Sequence, residues 1–223
     1  MESVPHWLHV IAWLSLAVGS VCTLLIAGDI VDGRRQPMGI MNVVWPITGL
    51  YAGPLGLWAY RRIGRAPAQG AATAGRPFWQ QVLVSTTHCG AGCTLGDIAG
   101  EWTVATSPVL WLASPLATGY AVDFLYAYGF GILFQYLSIV PMRGLGPLEG
   151  VKEAVKADTL SLVAWQVGMY GWMAFVQLWL FRPGLHAGQP TFWLMMQLAM
   201  LVGFLTSYPA NIFLLKAGIK EAM

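Results

Sequence analysis

Four long runs without a charged side chain constrain this sequence more than any other feature. Each exceeds 20 residues without Asp, Glu, Lys or Arg: 7–28, 38–60, 159–181 and 191–215. A helix of about 20 apolar residues is long enough to cross the ~30 Å hydrocarbon core of a bilayer. Hydrophobic residues make up 57% of the chain and charged residues 10%, whereas about 25% of residues are charged in a soluble domain. The sequence therefore predicts an all-α, polytopic membrane protein.

The segment between residues 77 and 142 decides how often the chain crosses the membrane. Its three charges are Asp97, Glu101 and Asp123, and its length allows two crossings or three. With two crossings, nine of the twelve Lys and Arg residues fall on one side and three on the other, whereas three crossings divide them five to seven. Cytoplasmic loops are enriched in Lys and Arg. The charge distribution therefore favours two crossings in this segment.

The resulting prediction is a single transmembrane domain over residues 1–223 with about six helices, some of them kinked or broken. The spans are expected at 7–28, 38–60, 77–100, 115–141, 159–181 and 191–215. We expect both termini on the cytoplasmic side of the membrane. Proline bends or ends a helix, so kinks are expected at Pro46 and Pro54 and breaks near Pro108 and Pro115.

Residues 143–158 read as a turn followed by a short amphipathic helix on the inner surface. Lys152 and Lys156 lie one helical turn apart there and can reach anionic lipid headgroups. Asp158 is expected to be the N-cap of the next helix, which is expected to begin at Thr159.

Charge and cysteine content limit the partners of the chain. The net charge is +2 and no basic stretch is interleaved with aromatic residues, so a nucleic-acid partner is not expected. Three cysteines do not predict a disulfide framework. The expected partner is the lipid bilayer, and small-residue helix faces allow a homo-oligomer.

Residues 86–102, TTHCGAGCTLGDIAGEW, combine polarity with a four-residue period. Positions four apart drift by about 40° around a helix. A polar stripe is therefore predicted from four side chains: Cys89, Cys93, Asp97 and Glu101. A parallel glycine series lets another helix approach closely: Gly92, Gly96 and Gly100. Carboxylates inside a membrane are costly and usually face the bundle interior or water, so we identify this stripe as the candidate functional site.

A soft metal ion, with Cu(I) favoured, is the first hypothesis for the site. Thiolates and thioethers are soft ligands that select Cu(I). The candidate ligands are Cys89, Cys93, His88, Met169 and Met173. Met196 and Met200 repeat the four-residue spacing of the last two in the sixth span. The alternative explanation is packing, because free cysteine and methionine are ordinary fillers of helical cores.

Two other functions fit the same residues. A proton-coupled or small-solute carrier would use Asp97, Glu101 and Asp123 as a polar pathway, with the cysteines incidental. A thiol-dependent redox enzyme would need an activated cysteine, but adjacent helix positions point about 100° apart, so His88 does not face Cys89. The ranking is metal transporter or binding protein, then carrier, then enzyme, and an enzymatic activity is not favoured.

The chain resembles a bacterial membrane family known as domain of unknown function 4396. The resemblance rests on PMGIMNVVWPITGLYAGP at 37–54, STTHCGAGCTLGDIAGEW at 85–102, PMRGLGPLEGVKEAVKADTLSL at 141–162 and FLTSYPANIFLLKAGIKEAM at 204–223. The family supplies no catalytic residues that could be carried over. Some relatives are associated with heavy-metal and copper proteins, so the resemblance implies a metal by analogy.

Overall fold

Six long helices make up the fold. The computed structural model describes residues 4–66, 75–107, 112, 114–182 and 184–221, and no strand occurs in these ranges. The helices are α1 (His6–Val31), α2 (Met41–Ala59), α3 (Phe78–Thr106), α4 (Pro115–Arg143), α5 (Pro147–Phe175) and α6 (Pro190–Lys216). Wider π-helical turns extend α2 over Tyr60–Gly64 and α5 over Val176–Leu180. The predicted all-α class is confirmed.

Three of the six helices are long and apolar enough to cross a membrane by length and composition: α1, α4 and α6. Pro115 occupies the first turn of α4 and does not break it, because a proline at that position removes an N–H that would lack an intrahelical partner anyway. Pro108 lies outside the described residues.

The α2 segment folds back on itself and does not run straight. Gly53 has φ 52° and ψ −127°, a backbone conformation that glycine adopts without steric cost, and Pro54 then starts the second arm. Trp45 and Tyr60 would be about 22 Å apart in a straight helix, yet their ring centroids are 5.7 Å apart. Residues 41–64 therefore form a helical hairpin, named the α2 hairpin below, and the expected span over 38–60 is not one continuous helix.

The first arm of the α2 hairpin packs antiparallel to α1. A Cβ added at Gly19 would lie 2.5 Å from the Leu50 carbonyl oxygen, and Thr23 Oγ1 donates to the Pro46 carbonyl oxygen at 3.0 Å. The second arm returns to the C-terminal end of α1. There Arg65 donates to both carboxylate oxygens of Asp29, at 2.8 and 2.5 Å, and this contact raises the pKa of the Arg65 guanidinium.

The tip of the hairpin is held by α6. Pro54 has no N–H, so the Leu50 carbonyl loses the donor that a regular helix would supply. Gln197 Nε2 donates to this carbonyl at 2.9 Å, and Ser15 Oγ donates to Gln197 Oε1 at 2.6 Å. One glutamine side chain thus joins α1, α2 and α6 at the level of the tip.

The N-terminal end of α3 lies beside the C-terminal end of α6. Tyr208 Oη donates to the Trp79 carbonyl at 3.1 Å, and Lys216 Nζ lies 5.8 Å from the centre of the Phe78 ring. Arg143 joins this end of the bundle through Glu221 at 2.8 Å.

Residues 147–175 form one continuous helix, so the expected separate surface helix and the N-cap at Asp158 were both wrong. Asp158 lies eleven residues into α5 with its side chain 0% exposed, and Lys220 Nζ, also 0% exposed, reaches its Oδ1 at 2.5 Å. Ser161 Oγ donates to the same oxygen at 2.8 Å. The local pattern of an acid before Thr159 resembled a cap, but the C-terminal segment supplies a buried cation that stabilises the acid inside a helix.

Replacing Lys220 with methionine should destabilise the fold strongly, because it leaves Asp158 as an unpaired buried charge. The expected loss in the free energy of unfolding is about 3–5 kcal/mol, and Asp158→Leu in the same chain should recover most of it. Equilibrium unfolding in mixed detergent micelles measures this. Lys156→Met is the matched control, since Lys156 is exposed and 3.9 Å from Glu153, and it should cost less than about 1 kcal/mol. A Lys220→Met variant as stable as this control would contradict the analysis.

Candidate functional site: buried carboxylates beside a cavity

Helices α3 and α4 approach each other closely because glycines line the contact. A Cβ at Gly96 would lie 2.2 Å from the Ala127 Cα, and a Cβ at Gly92 would lie 2.9 Å from the Gly131 Cα. At Gly100 the nearest atom is Asp123 Oδ1, at 2.1 Å from the same hypothetical Cβ. The predicted packing role of this glycine series is confirmed, and at Gly100 it also makes room for a carboxylate.

Three carboxylates meet where α3 and α4 touch. Asp97 is 0% exposed and Asp123 2%, and Glu101 follows Asp97 one turn along α3. Each of the three interacts electrostatically with the other two. None of the ion pairs among the described residues includes any of them. Asp97 and Asp123 are buried in an apolar interior, whereas Glu101 is partly exposed. Neighbouring buried carboxylates resist being ionised together, so the group is suited to share protons or to hold a cation.

Two tyrosines and one glutamine from α4 and α5 lie near the carboxylates. Tyr120 and Tyr170 stack with ring centroids 4.3 Å apart, and each hydroxyl donates to the backbone carbonyl of the other residue, at 3.2 and 3.0 Å. The Gln166 amide lies next to Asp97. Even so, both carboxylate oxygens of Asp97 lack a hydrogen-bond partner within the described part of the chain.

A cavity of about 280 Å³ opens beside Asp97, and none of its lining residues belongs to α4. Its wall is almost entirely apolar. It is bounded by α1, the tip of the α2 hairpin, α3 and α6 through Leu16, Leu50, Tyr51, Thr94, Asp97, Ile98, Trp193, Met196, Gln197 and Met200. Asp97 is the one acidic or basic side chain among these lining residues. Ligand sites in proteins share this form, a mostly apolar cleft with few polar groups.

The two candidate thiols lie on the inner face of α3. Cys89 and Cys93 are both 0% exposed and interact with each other. Met169 and Met173 belong to the same buried core. The predicted inward orientation of the cysteines agrees with their burial.

His88 has different neighbours from the thiols. Its ring packs edge-on against Phe134 of α4 at 6.0 Å, and neither ring nitrogen has a hydrogen-bond partner among the described residues. No group of three or more His, Cys, Asp and Glu side chains with a geometry that could hold a metal occurs in the described ranges. A metal at the thiols would therefore have to use methionine or backbone ligands.

Sequence reasoning missed several residues that define the site. It assigned Asp158 to a cap and gave Lys220 no structural role, although together they form the buried ion pair. It also did not use Gln166, which lies next to Asp97, or Gln197, which holds the hairpin tip. Tyr51, which lines the cavity, was likewise not used. The signal was present for the two glutamines, because uncharged polar side chains within a predicted span usually face other helices.

Comparison with known proteins places the site within a family. A family model described as Domain of unknown function (DUF4396) matches residues 78–220. No curated protein and no solved structure matches the chain. The matched range starts at α3 and contains the three carboxylates, both thiols and the Asp158–Lys220 pair.

Proposed function

The chain belongs to this family of unknown function, and we propose that it is a membrane carrier that couples proton binding at Asp97, Glu101 and Asp123 to the passage of a small solute. The observation that carries the proposal is the grouping of two buried carboxylates, Asp97 and Asp123, with the partly exposed Glu101. None of them has a basic partner among the described residues, and Asp97 lies on a cavity wall. Intramembrane carboxylates of this kind commonly form proton relays in transporters. The proposal ranks the carrier above the metal transporter that the sequence favoured.

The surroundings of the carboxylates support exchange of protons within the group. The titratable neighbours are Cys93 on α3, Tyr120 on α4 and Tyr170 on α5, and all are neutral or anionic when they titrate. None of these neighbours is a cation that would favour the ionised form of the carboxylates, so a second proton can stay bound to the group. The cavity gives Asp97 a route to a solute, while Asp123 and Glu101 can hold the proton that Asp97 releases.

We further propose that the α2 hairpin is re-entrant, so that five helices cross the bilayer. The tip contacts α1 at Gly19, about 15 Å along the helix from Asp29, which is half the thickness of the hydrocarbon core. The cavity lies beyond the tip, on the side away from Asp29. Its lining includes Leu16, which precedes Gly19 on α1, together with Ile98 and Trp193. This places the N-terminal ends of α1 and α6 together, and the N-terminal end of α3 at the opposite end with Asp29 and Arg65.

The distribution of positive charge supports this topology. One end of the bundle then carries eleven of the twelve Lys and Arg residues: Arg34, Arg35, Arg61, Arg62, Arg65, Arg76, Arg143, Lys152, Lys156, Lys216 and Lys220. The other end carries Arg182. An eleven-to-one division follows the positive-inside rule more closely than the nine-to-three division of six crossings. The N-terminus is therefore proposed outside the cytoplasm and the C-terminus inside, in a bacterial inner membrane.

A second candidate function is binding or transport of a soft metal ion, with Cu(I) favoured. The specific observation in its favour is that Cys89 and Cys93 are neighbouring, fully buried thiols in the same core as Met169 and Met173. Sulfur ligands of this kind select Cu(I).

Single-cysteine labelling tests the topology. His6→Cys should react with a membrane-impermeant maleimide on intact cells, and Asp32→Cys should react only after the membrane is permeabilised, because the hairpin places residue 32 in the cytoplasm. His186→Cys is the outside control and Lys156→Cys the inside control, since both topologies place them alike. The reverse pattern at residues 6 and 32 would restore six crossings.

Infrared spectroscopy tests the sharing of protons. The purified protein should retain the carbonyl-stretch band of a protonated carboxylic acid at neutral pH, and both Asp97→Asn and Asp123→Asn should reduce or shift it. Asp32→Asn is the control, since Asp32 is exposed. A wild-type protein without this band, or variants that leave it unchanged, would contradict proton storage in the carboxylate group.

Elemental analysis of protein purified without oxygen tests the second candidate. Copper should copurify with the wild type and be lost from the Cys89→Ser/Cys93→Ser variant. Cys22→Ser should keep it, because Cys22 is a buried cysteine on α1 and not part of the pair. Equal copper content in the wild type and the double variant would rule out a thiol site.

A further inference from the structure

The cavity beside Asp97 has a chemistry that selects one class of ligand. We infer that it binds a small hydrophobic organic cation, a protonated or quaternary amine on an apolar body, with Asp97 as the counter-ion. The inference rests on the proposed carrier function and names its substrate class.

The wall of the cavity supplies what such a cation needs. Asp97 is fully buried, is one of the residues that line the cavity and has both carboxylate oxygens free of hydrogen bonds within the described residues. The rings of Tyr51 and Trp193 stand in the same wall, and aromatic faces attract ammonium groups, most strongly where water is excluded. Met196 and Met200 add flexible thioethers that adapt to apolar bodies of different shape.

The aromatic and amide groups of the cavity are held in place by contacts on its far side. Trp193 Nε1 donates to the Ala187 carbonyl at 2.7 Å, and the Tyr51 ring packs edge-on against Trp165 at 6.0 Å. Gln197 is bound to Leu50 and Ser15. The wall is therefore preorganised, and its amide is already engaged by protein.

Other ligand classes fit this wall less well. An anion would meet a carboxylate and no basic side chain among the residues that line the cavity. A hard metal ion needs six or more oxygen ligands. Besides Asp97, the lining side chains offer only the Tyr51 and Thr94 hydroxyls and the Gln197 amide oxygen, which is already bonded to Ser15. A neutral apolar solute would leave the protonated Asp97 carboxyl buried without a hydrogen-bond partner among the described residues, which is costly.

Cation binding at Asp97 also provides a means of coupling. A protonated Asp97 must release its proton to form an ion pair with the ligand, and the proton can pass to the adjacent carboxylates or to water. No covalent bond to the ligand forms or breaks. Either a proton or the organic cation thus neutralises the charge of Asp97, so the two cannot bind there at the same time. An exchanger requires this mutual exclusion.

The test measures equilibrium binding to purified protein in detergent. The probe is benzyltrimethylammonium, whose charge does not depend on pH, and the comparison ligand is its neutral isostere neopentylbenzene. The cation should bind, the isostere should bind at least about tenfold more weakly, and Asp97→Asn should weaken cation binding by at least about tenfold, equivalent to 1.4 kcal/mol. Asp32→Asn should bind as the wild type does. Met196→Phe, which narrows the cavity and leaves the carboxylate intact, should weaken binding of both ligands.

Three results would overturn the inference: no binding of the cation, equal affinity for the isostere, or unchanged affinity in the Asp97→Asn variant. The infrared band of the protonated carboxyl is recorded on the same samples without ligand. A normal band without cation binding would refute the substrate class and leave proton storage standing. Cation binding without the band would refute proton storage and leave the binding site standing.

Discussion

The reversal of the chain at Gly53 and Pro54 is the constraint on which the rest of the structure depends. Where a helix reverses, backbone carbonyls lose their intrahelical donors and need other partners in the protein. Gln197 provides one by donating to the Leu50 carbonyl, and the contact with Gly19 lets α1 seal the same region. The tip, α1 and α6 are therefore fixed together, and the cavity lies directly beyond them.

Polar groups inside the bundle fall into two sets with different character. Asp158 and Lys220 form a paired set that neutralises itself and ties the C-terminal segment to α5. Asp97, Glu101 and Asp123 form an unpaired set at the contact of α3 and α4. A pair that is already satisfied is suited to holding a structure together. Unpaired acids in a low-dielectric interior respond strongly to any proton or cation that reaches them, which is why the second set is the better candidate for function.

The function proposed from this arrangement does not depend on the cysteines that first mark the sequence. The thiols lie on α3 with Asp97 and Glu101, one and two turns before Asp97. Small, polarizable side chains also suit close packing there. The thiols share a core with buried methionines. Binding of a soft metal is therefore a separate proposal for that region. The carboxylates and the cavity form a separate unit, because Asp97 reaches the cavity while Cys89 and Cys93 do not line it.

The sequence by itself determined that the chain is helical and suited to a membrane, that the glycines at 92, 96 and 100 pack against a neighbour, and that Asp97 lies with Glu101 on one stripe. These properties follow from composition and from a period within one helix. Tertiary structure alone decided the partners. Asp123 joins Asp97 because α4 packs on α3, Lys220 reaches Asp158 across 62 positions, and residues 38–60 turn back because one glycine adopts a positive φ angle. Hydropathy records how apolar a segment is, but it does not record whether the segment runs straight or turns back on itself.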